Sequence, residues 1–229
     1  MKHLSFNRFA GVSGILSALL YIVSIVGMQY YMALDHSSMD AMTQGMQDNH
    51  IMMLLYGWPG IIATILILPL VYAFHRFNQA QNEYSKLALL MTTIGLCFVL
   101  IGYLFHLALT YFHAPIYQTL DAIQRVSFGS LISATIGVQD MFWLSGDLFA
   151  FLGIALLLIL NLGEKSFPKW LVLMCAIAGL LAAVGSFGFI PAFKESGISF
   201  LFIGGFSVFA IWEVLIGLRL FKTNNASQS

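Results

Sequence analysis

Six stretches of mainly apolar residues, at about 10–33, 52–74, 88–112, 141–162, 169–190 and 198–220, alternate along the chain with shorter polar segments. A helix that crosses a hydrocarbon layer of roughly 30 Å needs about 20 such residues, so each stretch is long enough to span. The apolar runs lack the two-residue alternation of a barrel strand, and lipid offers no partner to a free backbone N–H or C=O. The pattern therefore predicts an all-α fold: a polytopic bundle of six transmembrane helices forming a single domain over 1–222, followed by a disordered polar tail at 223–229.

Composition sharpens this. The 229 residues are 59% hydrophobic and 9% charged, against roughly a quarter charged in a water-soluble domain. Ten Lys and Arg balance ten Asp and Glu, which leaves no basic excess for nucleic acid. The expected partner is the lipid bilayer, with another membrane protein or a small molecule as further candidates. Lys2 and Arg8 precede the first apolar stretch, but that stretch is longer than a signal-peptide core and no small-residue cleavage site follows, so it is read as a retained helix. Cys97 and Cys175 lie inside apolar runs, outside any metal-ligand or redox spacing.

The basic residues fix an orientation. Lys2, Arg8, Arg76, Lys86, Lys165, Lys169, Arg219 and Lys222 fall on one side of the predicted bundle, and Arg125 and Lys194 on the other. Cytoplasmic loops collect Lys and Arg, so both termini are expected in the cytoplasm, in a cell inner (plasma) membrane. Two outer segments are long. In 113–140 the recurrence of Leu120, Ile123, Val126 and Leu131 suggests an amphipathic helix lying at the interface. The openings of spans 3 and 5, after Lys86 and Lys169, resemble each other as any helix leaving a basic side would. Small residues on spans 4 and 5 (Gly146, Ala150, Gly153; Ala176, Gly179, Ala182, Ala183, Ser186) predict that these two pack closest. In span 2, Gly57-Trp58-Pro59-Gly60 and Pro69 predict a kink. Trp143 and Trp170 read as interfacial anchors.

Candidate chemistry is sparse. Asp147 and Glu213 are the charged residues inside predicted spans, where insertion costs about 2.5–3.5 kcal/mol and such groups face the bundle interior. Tyr103, His106, Thr110 and His113 recur on one helical face of span 3, and Asp140, Trp143 and Asp147 on one face of span 4. At matching depth these stripes could line an outward cavity, with His106 and Asp147 paired. Tyr103, His106, Thr110, Asp147 and Glu213 are thus the candidate intramembrane polar site. Glu213 is expected to form an ion pair with His75 or Arg76. A zinc site at His106 and His113 is excluded by roughly 10 Å of axial separation. In the first outer loop, His36, Met39, Met42, Met46 and His50 offer soft ligands suited to copper(I), but Met39, Met42 and Met46 also share the apolar face of a short helix resting on the bundle, and no metal or other cofactor is expected. No nucleophile–base pair, phosphate loop or nucleotide fingerprint is present, so the sequence points away from an enzyme.

Asn7-Arg8-Phe9-Ala10-Gly11 at the start of span 1, Gly146-Asp147-Leu148 in span 4, Phe167-Pro168 before span 5 and Phe209-Ala210-Ile211-Trp212-Glu213-Val214-Leu215-Ile216-Gly217 in span 6 resemble a broad family of uncharacterised six-helix bacterial integral membrane proteins, a domain of unknown function. The resemblance covers most of the chain. It implies a six-helix fold and a bacterial inner-membrane location, and brings neither substrate nor catalytic residues. Two functions remain: a non-enzymatic multi-pass protein, either a carrier or the partner of another membrane protein, or an intramembrane enzyme or proton-coupled site built on His106, Asp147 and Glu213.

Overall fold

A computed structural model describes residues 6–77, 83–162, 168–189 and 197–223. Lys2, Lys165, Lys194, Glu195 and the tail from 224 lie outside the described residues. The described chain is helical throughout: α1 (Phe6–Met32), α2 (Met39–Asp48), α3 (His50–Phe77), α4 (Glu83–Ala108), a π-helical segment (Leu109–His113), α5 (Ala114–Thr119), α6 (Ala122–Leu160), α7 (Lys169–Gly185), a 3₁₀ turn (Ser186–Phe189) and α8 (Ser199–Thr223). Six of these segments are long and apolar enough to cross a membrane.

The six spans form a closed ring. Each packs on the next in chain order, α1 on α3, α3 on α4, α4 on α6, α6 on α7 and α7 on α8, and α8 returns to α1. The most extensive pairs are α1 with α3 and α4 with α6. Alternating direction brings Arg8, Arg76, Lys86, Lys169 and Arg219 to one end of the bundle, called here the inner end.

Backbone approach depends on residues without side chains. Gly146 sits on Gly95 and Val99 of α4, where an added Cβ would lie 2.7 Å from the Val99 nitrogen, and Gly153 sits on Ala88 and Thr92. Gly11 and Gly217 make the same kind of crossing between α1 and α8. Close glycine crossings therefore tie α4 to α6 and α1 to α8, and Gly27 and Gly205 make further ones between α1 and α3 and between α7 and α8. This corrects the expectation that spans 4 and 5 pack closest, since Gly179 of α7 meets α6 no nearer than 3.2 Å while Gly146 and Gly153 sit closer on α4. The glycines of span 4 point to span 3, a choice that a list of small residues does not determine.

The second correction concerns the outer segments. Residues 113–140 hold no separate helix at the interface: α6 runs unbroken for 39 residues, about 58 Å at 1.5 Å per residue. Its start is fixed by a capping box, with the Asp121 carboxylate accepting from the Ile123 and Gln124 N–H groups and Gln124 accepting from the Asp121 N–H. Opposite it, α4 continues through the π segment and α5 to Thr119. The two run on together past Leu109, and α2 packs on α5 to complete a cap. Ile123 and Val126 are 84% and 74% exposed, so their spacing marks an outer face of α6 and not a contact with the bundle.

Candidate functional site

The outer half of the ring is built around α3. Three of its carbonyls receive a bond from a neighbouring helix: Ser17 of α1 donates to Ala63 (3.0 Å), Ser24 of α1 to Tyr56 (2.7 Å), and His106 of α4 lies 3.0 Å from Met53. Gly57 and Gly60, one turn apart, clear the space. A methyl group at Gly60 would overlap the Tyr103 ring, and one at Gly57 would strike Leu107 and touch His106. The Gly57-Trp58-Pro59-Gly60 sequence therefore seats two residues of the candidate stripe.

His106 is fully buried and stands among aromatic rings. Its ring centroid lies 4.6 Å from Tyr56, 5.2 Å from Tyr31 and 6.2 Å from Trp143. Tyr103 closes the group, 5.5 Å from Tyr56 and 6.0 Å from Trp143, with its hydroxyl 3.4 Å from Ser24. Gln139, one turn before Trp143 on α6, donates from its amide nitrogen to the Tyr31 hydroxyl at 3.3 Å. The Met53 carbonyl can only accept, so the His106 proton sits on Nε2 and Nδ1 carries a lone pair. Neither that Nδ1 nor Gln139 Oε1 has a hydrogen-bond partner.

The expected His106–Asp147 pair is not formed. The His106 ring turns toward α3, while Asp147, half-buried, faces Ser186 at the end of α7. Ser186 in turn donates to the Ala182 carbonyl of its own helix (3.0 Å). Asp147 nevertheless lies inside the ring, within electrostatic reach of Tyr21, Tyr56 and Tyr103. Thr110 is buried on the His106 face, donating to the His106 carbonyl (3.0 Å). His113 leaves the stripe: the π segment underwinds the helix, and its ring meets Phe128 of α6 at 5.9 Å.

Glu213 contradicts expectation more sharply. It is fully buried near Ser17 and Tyr21, halfway along the bundle, and neither carboxyl oxygen has a partner. His75 and Arg76 are engaged elsewhere. His75 Nδ1 lies 2.7 Å from the Ser85 hydroxyl, and the Arg76 guanidinium sits 5.6 Å over the Phe6 ring. Depth along a helix was a poor guide to contact, because α3 reaches the inner end well past Glu213.

The cap contains the copper candidates but does not gather them. Met42 and Met46 are buried with Leu34, Met53, Leu109, Tyr117 and Ile132, and Met39 packs against the same cluster. His36 stacks edge-on to Tyr31 and His50 to Tyr111. Ser38 caps α2 by accepting from the Ala41 N–H. Ahead of it, Ser37 reaches the exposed Asp35 carboxylate with its hydroxyl and, at 2.8 Å, its backbone N–H, which holds that group below the usual carboxylate range. Arg125 fastens the cap. It bonds the Asp40 carboxylate (2.9 Å) and the carbonyls of Leu120 (3.0 Å) and Gln118 (3.1 Å), and lies 5.4 Å over the Tyr117 ring.

Sequence reasoning missed Tyr31, Tyr56 and Gln139, and gave Trp143 both to the interface and to the stripe facing span 3, of which ring contacts with His106, Tyr56 and Tyr103 show the second. Gln139 falls in the outer segment when span 4 begins at 141, as hydropathy predicts. A usable signal stood in span 1, where Ser13, Ser17, Tyr21 and Ser24 fall on one helical face and are all buried. Compared with protein-family models, with curated proteins and with solved structures, the chain gives no significant match in any of the three.

Proposed function

We propose that this multi-pass membrane protein is a non-enzymatic carrier whose outer half encloses a binding site for a small polar molecule. One observation carries this reading: His106 Nδ1 and Gln139 Oε1, on fully buried side chains linked through Tyr31, have no partner among the described residues. A stranded buried polar atom costs about 1–3 kcal/mol, and a guest that bonds it recovers that energy. The rings around the two atoms supply the remaining walls. Binding is favoured over catalysis because no hydroxyl or thiol is bonded to His106 Nδ1, so the imidazole has no nucleophile to activate. A proton-coupled form of the same carrier would use Asp147 and Glu213, both of which face Tyr21.

The basic end of the bundle is assigned to the cytoplasm of a bacterial inner membrane, which makes both termini cytoplasmic. The resemblance to the uncharacterised six-helix family agrees with that placement. Reporter fusions at Met46 and Ser130 should be active outside, and at Gly163 inside; an external Gly163 reporter reverses the assignment. Carriage is tested by osmotic swelling of vesicles containing the protein, challenged with urea, acetamide, glycerol and methylammonium chloride. Entry of at least one solute faster than into protein-free vesicles, lost in His106→Ala, supports the reading. Equal rates for all four, with no solute shifting the melting temperature of the protein, overturn it.

A further inference from the structure

The box around His106 is chemically one-sided. Its unfilled positions, His106 Nδ1 and Gln139 Oε1, are both acceptors, and they come from the neighbouring helices α4 and α6. The rings of Tyr31, Tyr56 and Trp143 stand around the imidazole, and Tyr103 packs on Trp143. Electrostatics leans the same way. Asp140 and Asp147 stand three residues before and four residues after Trp143, on one face of α6. Among the described residues the ion pairs are Lys86 with Glu83 and Arg125 with Asp40, so neither of these acids is paired with a cation.

Unfilled acceptors, aromatic faces and uncompensated carboxyls are complementary to a positive ion that carries N–H donors. An ammonium group placed against a Tyr or Trp face is attracted by the ring quadrupole, more strongly when water is excluded. An alkali cation would instead demand a shell of hard oxygens, and a quaternary ammonium would leave both acceptors stranded. We propose that this site takes a small protonated amine, ammonium itself or a short primary alkylammonium. The inference rests on reading the box as a ligand site and names what it selects.

Gly102 shows how the wall is kept flat. Trp143 lies so close to its Cα that any Cβ there would overlap the indole. The half-buried Trp143 is the tryptophan whose ring faces His106, which makes its fluorescence the natural reporter of occupancy.

The test titrates purified protein in micelles with methylammonium chloride, following tryptophan fluorescence and melting temperature at ionic strength fixed with potassium chloride. Tetramethylammonium chloride supplies charge without N–H, and acetamide supplies N–H without charge. Saturable methylammonium binding is expected, with both controls at least tenfold weaker. Gln139→Leu should weaken methylammonium about tenfold, and Gln139→Glu, which keeps the size and adds charge, should tighten it. Acetamide binding as well as methylammonium would overturn the cation while leaving the carrier reading intact. Equal binding of tetramethylammonium would overturn the role of the two acceptors and with it the proposal. Saturable binding of none of the three, together with no swelling by any solute, would remove both readings.

Discussion

The inner and outer halves of this bundle are made by the same six helices in the same solvent, yet they solve different problems. The inner half is a dry core in which Ile67, Leu70, Phe74, Leu157, Leu158, Val172, Phe209, Trp212 and Ile216 interlock, stapled by glycine crossings. The outer half groups tyrosines, a histidine and a glutamine around one imidazole and leaves His106 Nδ1 and Gln139 Oε1 unpaired, whereas the unpaired Trp212 Nε1 and Asn161 Oδ1 of the inner half belong to an otherwise apolar core. Buried polar groups are nearly always satisfied in folded proteins, and departures concentrate where function requires them. Packing alone does not account for the polar cluster of the outer half.

The comparison is sharpest on α6, which runs through both halves. Gly153, at inner level, lies against Ala88 and Thr92, so Gly153→Ala forces α4 and α6 apart. Backbone cannot swing away as a side chain can, and a loss of about 3 kcal/mol is expected. Gly137, at outer level, has nothing within 4 Å. Gly137→Ala should be neutral or stabilise by up to ~1 kcal/mol through helix propensity. Unfolding of both variants in mixed micelles gives the contrast, and equal effects would erase the distinction between the halves.

Glu213 sits on the boundary. With no partner for either oxygen, Glu213→Leu removes a desolvated carboxyl and fills the space with carbon, so a gain of about 2 kcal/mol is expected. A gain in stability together with a loss of solute entry would mark the group as functional. Destabilisation would reveal a structural bond and make the boundary part of the ordinary core.

How much of this was legible depended on whether a feature is local. Hydrophobic runs gave the six spans, because a membrane helix satisfies its own backbone. The burial of His106 and Glu213 was equally readable, from the price of placing such groups in lipid. Partners were not. Whether His106 meets Asp147 or Met53, and whether Gly146 faces span 3 or span 5, depends on helix rotation and ring order, which hydropathy leaves open. The continuity of α6 is hidden for a third reason: Gln139 and Asp140 interrupt the apolar run without interrupting the helix, so hydropathy alone marks a span end there.

The cap allows the outer half to be tested without touching the box. Arg125→Ala removes an ion pair, two bonds to carbonyls and a ring contact at one stroke. Because the group is part-exposed, salt and solvent weaken the pair, and about 2 kcal/mol is expected from the combined loss. The measurement is limited proteolysis between α5 and α6. Faster cleavage with an unchanged melting temperature for the spans would show that the cap is a separable layer, whereas joint unfolding would tie it to the bundle.

The smallest effect is expected for the methionines. Met42 and Met46 lie in an apolar cluster with Leu34, Leu109 and Ile132, and Leu occupies nearly the same volume as Met, so the double Met42→Leu, Met46→Leu change should cost under about 1.5 kcal/mol. Thioether ligation of copper(I) would need these sulfurs to converge on one point with an imidazole. Instead His36 stacks on Tyr31 and His50 on Tyr111, and the sulfurs are enclosed by carbon. A competitive copper(I) titration of the wild-type protein and the double variant, run beside thermal melts, separates the two roles. Weak binding that is the same in both, with nearly superimposable melts, assigns the methionines to packing. Stoichiometric binding lost in the variant would assign them to a metal and give the outer half a second site, independent of the aromatic box.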